Sequence, residues 1–147
     1  MTVRSHWSLT PRQSVEAECT RRGRRAVVAG CVQLITGADP DAALIVALGG
    51  LHARRLLAGH LATDQRYWLR VWAVRGLLWA WDDSALDGVR VALRDPAWRV
   101  REMAAKVVAR HLLGDLLPAV AELQDDPLPR VRAAATRAVA ALTSAGA

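Results

Sequence analysis

The strongest constraint on the fold of this chain is a repeat of 31 residues. The segments "DPAWRVREMAAKVVAR" (95–110) and "DPLPRVRAAATRAVAA" (126–141) are identical at eight of sixteen positions. A further step of 31 residues toward the N-terminus brings "DQRYWLRVWAVRGLLW" (64–79) into register. Self-similarity at such a period is typical of repeat architectures, in which each unit buries its apolar face against its neighbours.

Each copy predicts a second helix that follows a turn, with a shorter first helix before the turn. Asp95 and Asp126 both precede a proline, a residue that suits the first turn of a helix, and an aspartate there can accept hydrogen bonds from unpaired helix amides. On the second helices, the 3.6-residue period places Val100 with Val108 and Val131 with Val139 on one apolar face. We therefore predict that these four valines are buried.

Two more helical segments are predicted upstream. Residues 25–50 form a degenerate copy with Asp39-Pro40 in its turn. Residues 10–22 predict one further helix, with Thr10 as the N-cap and proline in the first turn. Alanine, leucine, valine and arginine dominate the sequence, and strand-like alternation is hard to find, so the predicted fold class is all-α.

The pattern resembles the HEAT-repeat family over about residues 25–143. The resemblance implies a short right-handed α-solenoid of antiparallel helix pairs, with about four repeats and an N-terminal helical cap. It divides the chain into an arm and capping helix (1–24) and a solenoid (25–147). It also implies a structural ladder, in which turn aspartates and second-helix arginines link neighbouring repeats through charge-assisted hydrogen bonds. The ladder residues are Asp64, Arg70, Asp95, Arg101, Asp126 and Arg132.

Composition narrows the compartment and the class of partner. The formal charge is +6 and Lys106 is the one lysine. Arginine side chains can recognise carboxylates and phosphates, although a GC-rich genome would also explain why arginine is so much more frequent than lysine. Two cysteines make no disulfide framework, and we find neither a secretory signal sequence nor an apolar run long enough to span a bilayer. We expect a cytoplasmic, soluble protein.

A second stripe of the second helices, opposite the apolar face, carries aromatic and basic side chains. The second helices of HEAT repeats line the concave surface, so the resemblance places this stripe in a groove. The stripe predicts these partner-binding residues: Trp68, Trp72, Arg75, Trp79, Arg99, Met103, Lys106, Arg110, Arg130 and Arg137. An alternative remains open, in which the helix at 11–22 or Trp7 folds across the groove and buries the tryptophan rings.

The function that the sequence favours is non-catalytic: a scaffold whose groove holds a protein or peptide partner, which we expect to be acidic. Nucleic-acid binding by the same surface is the alternative, and "RRGRR" (21–25) would extend its basic footprint. The mixture of tryptophan and arginine is also similar to the concave face of the HEAT-like alkylpurine DNA glycosylases, but Glu102 is the one carboxylate beside the basic stripe. No phosphate loop or metal-binding motif appears, and we expect no catalytic residue, metal or cofactor.

Overall fold

The computed structural model describes residues 9–59 and 65–146, and these residues form helices and turns with no strand. Eight α-helices lie within the described ranges. They are α1 (Pro11–Arg22), α2 (Arg24–Ile35), α3 (Ala42–Leu57), α4 (Tyr67–Gly76), α5 (Leu86–Ala92), α6 (Trp98–His111), α7 (Leu117–Glu122) and α8 (Pro129–Ala145). Single 3-10 turns precede α5 (Asp83–Ala85) and α7 (Gly114–Leu116), and a third follows α7 (Leu123–Asp125). The all-α prediction is confirmed.

The second helices of the repeats stack side by side in the order α4, α6, α8. Behind them α5 packs against α6, and α7 packs against α8, which gives the antiparallel pairs of a short helical solenoid. Val100, Val108 and Val131 are fully buried between these layers, and Val139 is half-buried against the same core. The 31-residue period therefore corresponds to one helix pair, as the sequence predicts.

The N-terminal helices close one end of the stack. Thr10 caps α1 in a reciprocal capping box with Gln13, which confirms the predicted start of that helix. Helix α1 packs against α2 and α3, and α2 packs against α4. Glu18 is buried on α1 and accepts hydrogen bonds from Arg21 and Arg22, so part of the basic run at 21–25 neutralises a buried carboxylate.

Helix α3 bends sharply at Gly50, and this bend shapes the neighbourhood of α4. Gly50 has φ +63° and ψ −142°, a backbone conformation that side-chain-bearing residues rarely adopt. A Cβ on the preceding Gly49 would lie 2.4 Å from the ring of Trp72. Consecutive glycines thus let α3 turn and let the Trp72 indole lie directly on its backbone.

Two expectations about the first copy are wrong. Trp72 is only 3% exposed, because α3 packs over its ring, so it does not point away from the core. Helix α4 ends at Gly76 instead of continuing through Trp79. Beyond Gly76, backbone hydrogen bonds that span three residues replace the regular four-residue pattern; the Trp79 amide, for example, donates to the Gly76 carbonyl at 3.1 Å. The chain therefore enters a turn, and Trp79 does not continue the helical face of Trp68.

Candidate partner-binding site

A row of aromatic rings and guanidinium groups crosses from α4 to α8. Tyr67 and Trp68 stack with ring centroids 5.3 Å apart. The guanidinium carbon of Arg99 lies 5.3 Å from the Trp68 centroid and 4.5 Å from that of Trp98. The guanidinium carbon of Arg130 lies 5.5 Å from the same Trp98 centroid. We call Tyr67, Trp68, Trp98, Arg99 and Arg130 the aromatic–arginine strip.

Arg99 is the centre of the strip. Besides its two indole contacts, its guanidinium carbon lies 6.0 Å from the Tyr67 centroid, and one of its nitrogens donates to the Tyr67 hydroxyl at 3.3 Å. None of the carboxylates in the described ranges forms an ion pair with it. Cation–π contacts orient a guanidinium without cancelling its charge. Arg99 is therefore held in place with its positive charge unneutralised.

In the part of the chain that the structure describes, one carboxylate adjoins the strip, and it is already paired. Glu102 is 8% exposed on α6; its Oε1 accepts from Lys106 at 3.0 Å. Arg130 Nε lies 3.2 Å from the buried Oε2, an ion pair without hydrogen-bond geometry, since that oxygen accepts no hydrogen bond. This pairing leaves Arg130 72% exposed at its side chain.

The other predicted binding residues are dispersed. Met103 and Lys106 are half-buried on α6, whereas Arg110 and Arg137 are exposed on α6 and α8. Trp79 is half-buried in its turn, and its ring contacts neither Trp68 nor Trp72. The predicted column of three tryptophans thus reduces to one stacked pair, Trp68 and Trp72, with centroids 6.2 Å apart.

Sequence reasoning missed three aromatic residues at this site. His52 of α3 lies 5.3 Å from the Trp68 centroid and 5.0 Å from that of Trp72. Tyr67 and Trp98 occupy the same repeat position, three residues after the turn aspartate. That shared position was the available signal, because an aromatic residue recurs there at the first residue of α4 and of α6.

A cavity of about 280 Å³ opens beside the strip, between α1, α3 and α4. The rings of His52, Trp68 and Trp72 and the side chain of Arg75 line it. Arg75 donates to the Leu48 carbonyl at 2.8 Å, but its buried Nε–H has no acceptor. Burial lowers the pKa of Arg75 below its ordinary value, although an arginine guanidinium stays protonated in proteins.

The ladder residues connect α4 and α6 to the turn that precedes the following second helix. Arg70 donates to both carboxylate oxygens of Asp95, at 2.7 and 3.2 Å, and Arg101 does the same to Asp126, at 2.8 and 3.2 Å. Each arginine thus contacts the aspartate of the following repeat. Asp64, the first ladder aspartate, lies outside the described residues.

The C-terminal end of the ladder differs from its interior. Arg132 donates only to the Asp126 and Pro127 carbonyls of its own turn, at 2.7 and 3.1 Å. Arg101 makes the same two kinds of turn contact, to the Asp95 and Pro96 carbonyls, in addition to its ion pair. The difference between the two arginines is therefore the bidentate contact with the next aspartate.

These repeats match a known family. The family model for HEAT repeats matches residues 54–140. The chain belongs to the HEAT-repeat family. Comparison with curated proteins and with solved structures gives no match. HEAT repeats generally serve as protein-interaction scaffolds and are typically non-catalytic.

Within residues 9–59 and 65–146, we find no group of three or more histidine, cysteine, aspartate or glutamate side chains that could hold a metal ion. In the same part of the chain, no helix has the length and hydrophobicity of a membrane span.

Proposed function

We propose that this HEAT solenoid is a binding scaffold that holds an acidic segment of a partner protein across α4, α6 and α8. The observation that carries the proposal is Arg99, which three aromatic rings orient and which no carboxylate of the described residues neutralises. Aromatic side chains and arginine are enriched in binding hot spots, which are well packed and desolvated in the complex. The strip combines both residue types in one continuous row.

Charge complementarity favours an acidic partner. Arg110 and Arg137 are exposed on the same second helices as the strip, and Glu102 is the one carboxylate among the described residues that adjoins it. Trp68 and Trp98 would contact apolar side chains of the segment while Arg99 and Arg130 pair with its carboxylates. Trp72 is left out of this revised surface, since it supports the strip from within the core.

The test begins with an array of random twelve-residue peptides that spans net charge from basic to acidic, followed by calorimetry with the best binder. We expect acidic peptides with aromatic or aliphatic residues to bind. The double variant R99Q/R130Q should lose about tenfold or more in affinity, the equivalent of one charged hydrogen bond or ion pair. The matched control R12Q/R90Q changes the net charge equally on exposed arginines elsewhere and should bind as the wild type does.

Random-sequence duplex DNA is the competing ligand in this experiment. Binding to DNA with a steep loss of affinity as salt rises would indicate phosphate neutralisation, and the surface would then be a nucleic-acid interface. Preference for basic peptides, or equal losses in the two double variants, would also contradict the proposal.

A further inference from the structure

The cavity between α1, α3 and α4 holds a positive charge that its surroundings leave uncompensated. Arg75 reaches into the wall of this cavity, and no carboxylate in the described ranges pairs with it. One of its nitrogens is fixed by the Leu48 carbonyl, and its Nε–H is buried without an acceptor. Because Nε itself is inaccessible to solvent, the part of Arg75 that a ligand in the cavity can contact is the rest of its charged guanidinium.

The remaining walls combine aromatic rings and bare backbone with the side chains of Leu9, Pro11 and Ser14. The stacked indoles of Trp68 and Trp72 form one wall with the His52 ring tilted against both, and Gly49 and Gly50 present bare backbone. Flat aromatic walls favour a planar ligand body through offset-stacked or edge-to-face contacts. At about 280 Å³ the cavity lies at the small end of the range for small-molecule sites, so one ring with a short substituent suits it.

We infer that this cavity binds a small arylalkyl carboxylate, whose ring lies against Trp68, Trp72 and His52 and whose carboxylate pairs with the Arg75 guanidinium in the cavity wall. A carboxylate supplies the missing counter-charge, and hydrogen bonds between ions of opposite charge are the strong ones. The inference goes beyond the proposed scaffold function, because it uses neither Arg99 nor Arg130. A small molecule bound here would contact Trp68, which the cavity shares with the strip.

Phenylacetate is the probe, with phenylacetamide as its neutral isostere of nearly the same shape. Titration into the full chain, followed by tryptophan fluorescence and calorimetry at constant ionic strength, should give saturable binding of phenylacetate and about tenfold or more weaker binding of phenylacetamide. The variant R75Q should lose this preference for the anion. R137Q, at the equivalent repeat position on α8 and outside the cavity, should keep it.

Several outcomes would overturn the inference. Equal binding of phenylacetate and phenylacetamide would show an apolar cavity without anion recognition, and no saturable response would show that the cavity takes neither. An equal response to sodium sulfate would show an unspecific anion site. If R75Q fails to fold, the comparison of the two ligands on the wild-type protein still decides the question. R99Q/R130Q should bind phenylacetate normally, so failure here is distinguishable from failure of the acidic-segment proposal.

Discussion

Trp72 and Trp68 are one helical turn apart on α4, yet they serve different purposes. Trp72 is 3% exposed and lies against Gly49 of α3, whereas Trp68 is half-buried and its ring lies beside the Arg99 guanidinium. Whether a tryptophan on α4 belongs to the core or to the surface thus depends on whether the backbone of a neighbouring helix packs against its ring. The consecutive glycines of α3 decide this for Trp72.

The first prediction separates the two tryptophans by stability. Trp72→Ala should destabilise the fold by about 3–5 kcal/mol, because it leaves a large cavity in a packed core. Trp68→Ala should cost about 1–2 kcal/mol, since its ring is partly solvated. Urea melts followed by circular dichroism measure both. Equal costs would show that the two rings are equally part of the core, and the surface role of Trp68 would then be lost.

The second prediction concerns the two thiols. Burial raises the pKa of Cys31 to about 12, and burial also raises the pKa of Cys19, which is half-buried. The thiolate is the reactive form, so Cys31 should not react with Ellman's reagent at pH 8 until the fold opens. In urea both thiols should react. Rapid native labelling of Cys31, identified by mass spectrometry, would contradict the burial of α2 against α4.

At the scale of helices and turns, the ladder has an internal control. Arg101 and Arg132 occupy the same repeat position and make the same kinds of contact with their own turns. Only Arg101 reaches a following aspartate, Asp126, which is 6% exposed. The pair therefore isolates the contribution of one bond between repeats.

The third prediction follows from this pair. Arg101→Ala should cost about 1–3 kcal/mol more than Arg132→Ala, because it leaves a buried carboxylate without its charged donor. Arg12→Ala, which removes an exposed pair with Glu16, should cost almost nothing. The free energies of unfolding come from urea melts. An identical cost for Arg101→Ala and Arg132→Ala would show that the bond between repeats contributes nothing.

The helices themselves could be predicted from local signals in the sequence, whereas the contacts that depend on how the helices pack could not. Thr10 followed by proline is a local signal, and the start of α1 could be predicted from it. The predicted starts of α6 and α8 are two residues too early, because these helices follow Pro96 and Pro127 by two residues and have Ala97 and Leu128 as N-caps. The burial of Trp72 depends on where Gly49 and Gly50 place the backbone of α3, which is a tertiary fact. The joining of Tyr67, Arg99 and Trp98 into one strip likewise depends on how α4 and α6 stack.

For the molecule as a whole, charge sets how the fold responds to acid. The chain carries 20 basic residues, lysine and arginine together, against 14 acidic ones, so protonation of the carboxylates leaves a large positive excess. Burial alone would raise the pKa of Asp126, but hydrogen bonds from Arg101 and from the Leu128 amide outweigh it, and the pKa lies below its ordinary value. The Arg22 side chain lowers the pKa of Asp41, and the Ser84 amide lowers that of Asp82.

The fourth prediction is the pH dependence of stability that these carboxylates produce. A carboxylate whose pKa is lower in the folded than in the unfolded state binds fewer protons when folded, so its contribution is present above the unfolded pKa of about 4 and is lost as pH falls through the folded pKa. The urea midpoint should therefore stay nearly constant from pH 7 to about pH 5 and fall below about pH 4. Asp126→Asn should lower the midpoint at pH 7 and lower it less at pH 3, where the wild-type carboxylate is also becoming neutral.

Asp87→Asn, at an exposed side chain on α5, is the matched control and should shift neither midpoint appreciably. An effect of Asp126→Asn that is the same at both pH values would mean that the aspartate acts through its shape and hydrogen bonds alone, and the charge on the ladder would then have no part in holding the repeats together.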